Sequence, residues 1–389
     1  MKSISIKTKV LVALSICLLL GVAGTMALMR YSFEQNARTL AVQSLNEAQK
    51  LFGILTAREV SKMTAVEATL EADSMLQKHF LSKNRDELLD FCKPIYGSLK
   101  AQGITNWVFH TVEPEVTVLL RVHNPTMYGD HLDRFLTKEV VRTHGMVAGK
   151  ELARAGFAVR TLAPLTDSTG KVIGYVELGE ELGQFIHAMN AQTGDNYGLL
   201  LNKKYMDRKL WAESSAAWGR RDNWDDHPAY VVIDKTGQSE RIIDFDGDFG
   251  AIPDTGKVLE RYRDGAAMYV RGVFPIRDAA GTVVGAMFVV RDISNFYWSM
   301  RKTQTVLVVL TVTALALSTL LVLAILRKLV FRRLDGIIAV ATRVVGGDYQ
   351  TEIRLTSDDE IGQFEKLFEQ FRRVFVDVLS NVPELQERR

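Results

Sequence analysis

An uncharged apolar run from Thr305 to Leu326 constrains this chain more than any other feature. The run contains no proline and no glycine in its 22 residues. At a rise of 1.5 Å per residue, a helix of that length covers roughly 33 Å, and the hydrocarbon core of a bilayer is about 30 Å thick. The sequence therefore predicts a membrane-spanning helix at residues 305–326, with the segments before and after it in different compartments.

A second apolar run, Val10 to Met29, lies near the N-terminus. It is longer than the apolar region of about 7 to 15 residues that is typical of a cleavable signal peptide. The segment Thr25-Met26-Ala27 also matches a small-x-small cleavage site only weakly. We interpret residues 10–29 as a first membrane-spanning helix that stays in the protein. A cleaved signal peptide is the alternative.

Basic residues flank both runs on the sides away from the region between them. They are Lys2, Lys7 and Lys9 before the first run, and Arg327, Lys328, Arg332 and Arg333 after the second. By the positive-inside rule, both termini, including residues 1–9, lie in the cytoplasm. Residues 30–304 are then extracytoplasmic, and the protein crosses the membrane more than once.

Composition and motifs exclude several functional classes. The net charge of +2 is too small to indicate nucleic-acid binding. Two cysteines, Cys17 and Cys92, allow neither a disulfide framework nor a paired-cysteine metal site. There is no Gly-x-Ser-x-Gly or phosphate-loop motif, and the acid pairs Glu180-Glu181 and Asp225-Asp226 are adjacent in sequence. We expect that the protein binds no cofactor and is not an enzyme. The alternative functions are an extracytoplasmic membrane-anchored enzyme and a passive membrane scaffold.

A long helix is predicted after the first run, at residues 30–80. Between Glu34 and Phe80 there is no proline and only one glycine. Apolar residues recur there every three or four positions, at Leu45, Ala48, Phe52, Leu55, Met63, Val66 and Leu70. This periodicity marks one face of a helix. The helix is either a stalk with a dimer seam or an element that packs only on its own domain.

Two stretches of the outer region repeat without a gap. VRTLAPLTDSTGKVIGYVELGEEL begins at Val159, and VRGVFPIRDAAGTVVGAMFVVRDI begins 111 residues later at Val270. Each predicts a strand, an Asp-x-x-Gly turn and a second strand, with a further glycine that allows a close backbone approach. The matched pairs include Arg160 with Arg271, Pro164 with Pro275, Asp167 with Asp278, Gly170 with Gly281, and Gly174 with Gly285. The repeat predicts two similar modules in tandem.

A long helix followed by two such modules resembles the double Cache sensory domain of bacterial chemoreceptors and sensor kinases. Leu119 to Phe135 and Tyr197 to Lys235 are similar to the subtype described as the double sensory domain of two-component sensor kinases. The resemblance covers residues 35–300. It implies an α+β fold with PAS-like modules, membrane-distal at residues 81–190 and membrane-proximal at 191–304. It also implies a bacterial inner-membrane receptor for a small molecule.

In such modules the ligand binds between the sheet and its covering loops, most often in the distal copy. The candidate ligand-binding residues are Arg121, His123, Tyr128, Asp130, Arg134 and Arg160. Because arginine grips a carboxylate through two hydrogen bonds, we expect an organic acid. The chain lacks the amino-acid-binding signature of the best-known double Cache receptors. Arg160 has a counterpart in Arg271, so a structural ion pair shared by both modules is the alternative for this residue.

Four of the seven histidines lie within 35 residues, at His110, His123, His131 and His144. No two of them are four residues apart, and there is no His-Glu-x-x-His motif. These are the spacings that helical metal sites use. We therefore expect no metal site.

Two apolar seams follow the second span. The first consists of Leu334, Ile338, Ala341 and Val345, and the second of Ile361, Phe364, Phe368, Phe371, Phe375 and Val378. Short heptad seams of this kind need partner helices. With Gly347-Asp348 after the first seam and Asp359-Glu360-Ile361-Gly362 at the second, residues 327–380 resemble a HAMP domain. The resemblance implies a homodimeric parallel four-helix coiled coil and signalling roles for Gly347, Asp348, Asp359, Glu360 and Gly362.

The HAMP-like segment departs from its family at Arg333, where such domains commonly have proline. We therefore expect the second span and the first HAMP helix to be continuous. Only the tail at residues 381–389 follows. Either the sequence is truncated or a separate cytoplasmic signalling partner reads the helices. We predict a transmembrane sensory receptor that passes a conformational signal through a HAMP domain.

Overall fold

The computed structural model describes most of the chain in six segments. They are residues 6–112, 115–153, 156–217, 219–237, 245–354 and 358–381. Lys2 and most of the predicted tail lie outside the described residues. The chain forms two compact units, residues 34–298 and residues 1–33 with 299–389.

The first helix, α1, runs from Ile6 to Glu71. Six residues of its predicted apolar face are buried, namely Leu45, Ala48, Phe52, Leu55, Met63 and Leu70. They belong to the main hydrophobic core, which also contains residues of both sheets. For this face the second alternative holds, because the helix packs on its own domain. A dimer seam elsewhere on α1 stays a prediction.

The helix predicted to reach Phe80 ends at Glu71. The side chain of Asp73 accepts hydrogen bonds from two amides of the following turn, at 2.9 and 3.2 Å. A carboxylate in this position satisfies amides that a helix start leaves without partners. Asp73 therefore begins a separate helix, α2 (Ser74–Leu81), and α3 (Arg85–Ala101) follows it.

The first module contains a five-stranded antiparallel sheet with one covering helix. Its elements are β1 (Asn106–Thr111), β2 (Val118–Arg121), α4 (Phe135–Thr143), β3 (Val147–Ala153), β4 (Gly156–Thr166) and β5 (Val172–Glu181). The strand order is β2-β1-β5-β4-β3. The first and last strands of the module in chain order therefore pair at the centre of the sheet.

The second module repeats this topology. Its elements are α5 (Gly183–Thr193), β6 (Asn196–Asn202), α6 (Arg208–Ala217), β7 (Tyr230–Lys235), β8 (Lys257–Asp264), β9 (Ala267–Arg277) and β10 (Val283–Asp292). The order β7-β6-β10-β9-β8 matches the first sheet strand for strand. The predicted α+β fold with tandem PAS-like modules and a long N-terminal helix is confirmed.

The repeated hairpins also form as predicted. In the β4–β5 turn the Gly170 amide donates to the Asp167 carbonyl at 2.9 Å, and in the β9–β10 turn Gly281 donates to Asp278 at 3.0 Å. Gly170 and Gly281 have φ values of 82° and 83°, which lie in the left-handed region that glycine adopts readily. A Cβ atom at Gly285 would lie 2.2 Å from a backbone oxygen. The second repeat glycine therefore permits the predicted close approach.

Among the described residues, two helices are long and apolar enough to span a membrane, one at each predicted run. The second consists of α7 (Ser294–Leu326), a π-helical stretch (Arg327–Phe331) and α8 (Arg332–Val345). The expected continuity beyond the second span is observed. A last helix, α9, extends from Glu360 to Asn381.

Candidate functional site

Two of the six predicted ligand residues, Arg121 of β2 and Arg160 of β4, share one face of the first sheet. Side chains alternate between faces along a strand. On β5, Val176 and Leu178 join the main core with α1. Tyr175 points to the opposite face and packs with Leu136 of α4, so Glu177, two positions along β5, shares that face. This face, covered by α4 and the segment that precedes it, forms the candidate site.

A fully buried carboxylate, Glu177, lies at the centre of this face. Nη1 of Arg160 donates to its Oε1 at 2.5 Å, and Nη2 of Arg134 donates to its Oε2 at 2.7 Å. Nε2 of His110 lies 2.9 Å from the same Oε2. Although burial opposes ionisation, the two arginines and His110 hold the pKa of Glu177 well below its ordinary value. Two predicted residues, Arg134 and Arg160, therefore meet at an ionised carboxylate.

A second buried carboxylate, Glu151 of β3, completes the group. Its Oε2 lies 3.2 Å from Nη1 of Arg134, and its Oε1 accepts the Leu136 amide at 3.0 Å. Burial raises the pKa of Glu151, and the positive charge of Arg134 opposes this shift. Two arginines are thus matched by two carboxylates. We call His110, Arg134, Glu151, Arg160 and Glu177 the charge cluster.

Arg121 and Asp130 form a separate ion pair at the edge of the site. Nη1 and Nη2 of Arg121 donate to the two carboxylate oxygens of Asp130 at 2.7 and 2.8 Å. Nη1 also donates to the Met127 carbonyl at 2.9 Å. The carboxylate remains 43% exposed. The arginine predicted to grip a ligand therefore holds a carboxylate of its own chain, and that carboxylate is accessible to solvent.

His123 and Tyr128 lie apart from the charge cluster. The Trp107 amide donates to Nδ1 of His123 at 3.2 Å, and burial lowers the pKa of His123 to about 4. This histidine is neutral at physiological pH. The ring of Tyr128 is 56% exposed, and the guanidinium of Arg85 stacks 3.3 Å from its centre. The contacts of these two residues are with Trp107 and Arg85, which do not belong to the charge cluster.

A family model described as the double sensory domain of two-component sensor kinases matches residues 42–256, more than half of the chain. The chain belongs to this family of double sensory domains. The predicted double Cache resemblance is thereby confirmed. No curated protein matches the chain.

Two solved structures that match this chain are of sensory and ligand-binding domains. The periplasmic domain of LuxQ from Vibrio cholerae has 11% identity and a TM-score of 0.40, with 64% of this chain and 99% of that chain covered. The ligand-binding domain of the Campylobacter jejuni chemoreceptor Tlp3, solved with L-valine, has 11% identity and a TM-score of 0.39. That match covers 69% of this chain and 97% of the Tlp3 chain.

Among the residues that the structure describes, the second module of the double sensory domain does not repeat the charge cluster. Phe288 stands 111 residues after Glu177 and packs in an apolar group. Arg271, the counterpart of Arg160, donates through Nε to the Glu260 carbonyl at 2.9 Å and lies 5.3 Å from the ring centre of Tyr262. The position that matches Glu177 therefore carries no carboxylate in the second module, and the alternative of an ion pair shared by both modules stays a prediction.

Sequence reasoning missed three residues of the double sensory domain's site. His110 was considered only as a metal ligand, and Glu151 was not selected. Arg85 also donates to the carbonyls of Leu119 and Pro125, at 3.0 and 2.7 Å, and so fixes the segment around Tyr128. The sequence contains one indication of the charge cluster. The repeat aligns Glu177 with a phenylalanine, so the two modules differ in charge at this position. No local pattern indicates Arg85, because its partners are at least 34 residues away.

The four histidines that lie within 35 residues of sequence occupy separate places in the structure. His110 lies in the charge cluster, Nδ1 of His131 lies 3.0 Å from the Val116 carbonyl, and His144 ends α4 with φ of 49°. Among the residues that the structure describes, no group of three histidine, cysteine or acidic side chains could hold a metal ion.

A cavity of about 210 Å³ lies in the second module, beside the edge strand β7. Its walls include Trp211, Arg220, Arg221, Asn223, Asp226, His227 and Asp234. None of the six predicted ligand residues lines it. Substitutions in the wall of this cavity are therefore suitable controls for ligand binding at the first module.

Proposed function

We propose that this chain is a transmembrane sensory receptor whose first module binds a small extracytoplasmic molecule. The observation that supports this most is the charge cluster beneath α4. Burying several charges is costly, and in the second module apolar side chains occupy the positions that match His110 and Glu177. Buried, paired titratable groups in one of two otherwise matching modules favour a functional role there.

The proposed ligand carries a carboxylate that exchanges with Asp130. Glu177 is fully buried and held by three side chains, so a ligand cannot readily replace it. Asp130 is partly exposed and accepts a bidentate pair of hydrogen bonds from the guanidinium of Arg121. A ligand carboxylate at Arg121 would be flanked by His123 and Tyr128. All six predicted residues then have a role, with Arg134 and Arg160 holding the floor of the site.

The proposed topology places the double sensory domain outside the bacterial inner membrane and both termini in the cytoplasm. The two candidate spans and the basic residues on their outer flanks in sequence support this orientation. The ends of the sensory domain then lead directly into the two spans.

The segment after the second span is proposed to be a HAMP domain that works as a homodimer. Several large apolar side chains of α9 are exposed in the single chain, among them Phe364 at 51% and Phe371 at 63%. The opposite side of α9 buries Glu365, Glu369 and Arg372 instead. An exposed aromatic stripe of this kind needs a partner. A second copy, in a parallel four-helix bundle, would cover it.

The predicted HAMP signalling residues have local roles that support this proposal. Gly347 ends α8 with φ of 98°, and Oδ2 of Asp348 accepts the Thr351 hydroxyl at 2.6 Å. Oδ1 of Asp359 accepts the Gly362 amide at 2.8 Å, which caps α9 just before Glu360. Arg333, in the position of the usual proline, donates to Asp359 at 2.7 and 2.9 Å. Arg333 therefore ties the start of α8 to the start of α9.

Ligand binding can be tested by thermal unfolding of the purified full chain with malate, citrate and lactate, and with glucose as a neutral comparison. We expect at least one carboxylate to raise the melting temperature, since a ligand at 100 times its Kd stabilises the folded state by about 2.7 kcal/mol. Arg121→Met should abolish the shift, and Asp226→Asn in the control cavity should keep it. A shift that survives Arg121→Met removes the proposed site, and no shift with any carboxylate removes the proposed ligand class.

The HAMP proposal predicts disulfide formation between two copies. In a chain with Cys17 and Cys92 replaced by serine, we expect Phe364→Cys and Phe371→Cys to cross-link in membranes under mild oxidation. Gln370→Cys, on a polar side of the same helix, should cross-link far less. Equal cross-linking at all three positions, or none at the two phenylalanines, contradicts the bundle.

A further inference from the structure

The turn of the second repeated hairpin is seated on the first module. The amide of Ala279 donates to the carbonyl of Lys150 at 2.7 Å. Lys150 belongs to β3, which is an edge strand of the first sheet. The second module therefore supplies a backbone hydrogen bond to an edge of the first.

Gly149 shapes this contact. A Cβ atom at Gly149 would lie 2.7 Å from Cβ of Ala279 and 3.5 Å from Cδ2 of Leu136. Ala279 also packs against the small apolar group under α4 that includes Leu136 and Tyr175. Any side chain at position 149 must displace the turn, because the shorter of these distances is below a normal carbon–carbon contact. We call Gly149, Lys150 and Ala279 the turn seat.

On one side, the turn seat adjoins the charge cluster. Glu151 directly follows Lys150 and binds both Arg134 and the first turn of α4. Arg134 in turn binds Glu177. A rearrangement of Arg134 therefore acts on the strand that carries the seat, within one residue of it.

On the other side, the turn seat adjoins the strand that leads out of the double sensory domain. β10 begins at Val283, two residues after the turn, and ends at Asp292. Only Ile293 separates it from α7, and the Ser294 amide donates to Oδ1 of Asp292 at 2.7 Å. A shift of the turn is thus passed along one strand to the start of α7.

We propose that the turn seat couples the charge cluster of the first module to β10 and the start of α7. The inference rests on the proposed sensory function, since it states how occupancy of the first module reaches the second. A hydrogen bond and a close-packed contact that are either made or broken give the coupling two discrete states. The equivalent turn of the first module carries the exposed Ser168 in place of Ala279, which provides a matched control.

Hydrogen exchange of the full chain in lipid nanodiscs tests this coupling without a ligand. Arg134→Ala serves as the perturbation of the charge cluster, and exchange is followed at the amides of residues 283–292. Ala279→Pro removes the donated N–H, and proline suits the second position of this turn. We expect Arg134→Ala to speed exchange about fivefold in the native background and less than about twofold with Ala279→Pro. With Ser168→Pro as background, the native effect should persist.

A second pair of variants tests the steric part. Gly149→Ala should speed exchange in β10, and adding Ala279→Gly should restore protection, because the methyl group then sits on the other side of the contact. An Arg134→Ala effect that is absent, or equal with and without Ala279→Pro, overturns the coupling, as does a double variant that fails to restore protection. Failure of the ligand screen would instead remove the sensory proposal and leave these exchange results unchanged.

Discussion

The two modules share a strand order but fill one face of the sheet in different ways. In the first, His110 and Glu177 join two arginines under α4. In the second, Leu200 and Phe288 take the corresponding places in an apolar group. The same backbone therefore folds with either filling. The difference teaches that this strand topology can form with an apolar face as well as with a charged one, and this is why we attach function to the charge cluster.

The largest effect that can break this comparison is expected at Glu177. Glu177→Gln removes the charge that Arg134 and Arg160 face, and breaking a buried ion pair from one side costs about 3–5 kcal/mol. Phe288→Leu, at the matching position, should cost only about 1 kcal/mol. Denaturant unfolding of the purified full chain measures both. Equal losses would mean that the first module does not depend on its cluster in the way we describe.

The other face of the first sheet, which packs on α1, should make the stability of the chain depend on pH. Glu67 of α1 is buried, and the Thr161 hydroxyl donates to its Oε1 at 2.8 Å. Burial raises the pKa of Glu67 from 4.5 to about 8. The folded chain then keeps a proton that the unfolded chain loses, so the free energy of unfolding falls as the pH rises from about 4.5 to about 8.

Glu67→Gln should remove this decline, which is on the order of a few kcal/mol across that pH range. Melting temperatures of both proteins, measured at intervals of pH, test the expectation. The two curves should converge at the acid end, where the native carboxyl is protonated in both states. Parallel curves over the whole range would show that Glu67 is ionised in the folded chain.

The smallest effects are expected where the modules agree. Gly170→Ala and Gly281→Ala should each cost about 1 kcal/mol, since both positions have positive φ and neither Cβ would meet another atom within 4 Å. The two losses should be equal, because both turns are closed by the same two backbone hydrogen bonds, which join the aspartate to the residues three and four positions later. Unfolding of the single variants provides the measurement, and clearly unequal losses would contradict the equivalence of the hairpins.

The parts of the fold that could be predicted are those that depend on residues close together in the sequence. The Asp-x-x-Gly turns depend on four consecutive residues, and the buried face of α1 depends on helical spacing. The end of α1 was missed, because Asp73 caps α2 through its own side chain while the apolar pattern continues past it. A capping side chain can end a helix while the apolar periodicity continues, so the periodicity alone does not predict where the helix ends.

The site was predicted only in part, because its contacts join residues far apart in sequence. Arg134 and Arg160 were selected from their types, yet their meeting at Glu177 depends on the register of β4 with β5 and on the start of α4. The pairing of Arg121 with Asp130 depends on the path of the intervening segment. The spacing of residues predicts which side chains share a face of a strand. It does not predict which arginine forms an ion pair with which carboxylate.

The pairing of Arg121 with Asp130 has a consequence for the dose at which the proposed receptor responds. A carboxylate tethered nine residues away competes with any incoming acid at an effective concentration on the order of millimolar. Trace amounts of a weakly bound acid then leave the arginine occupied by its own chain. The receptor would respond only when the acid is abundant. The stiffness of the segment that carries Asp130 would set the ligand concentration at which the response begins.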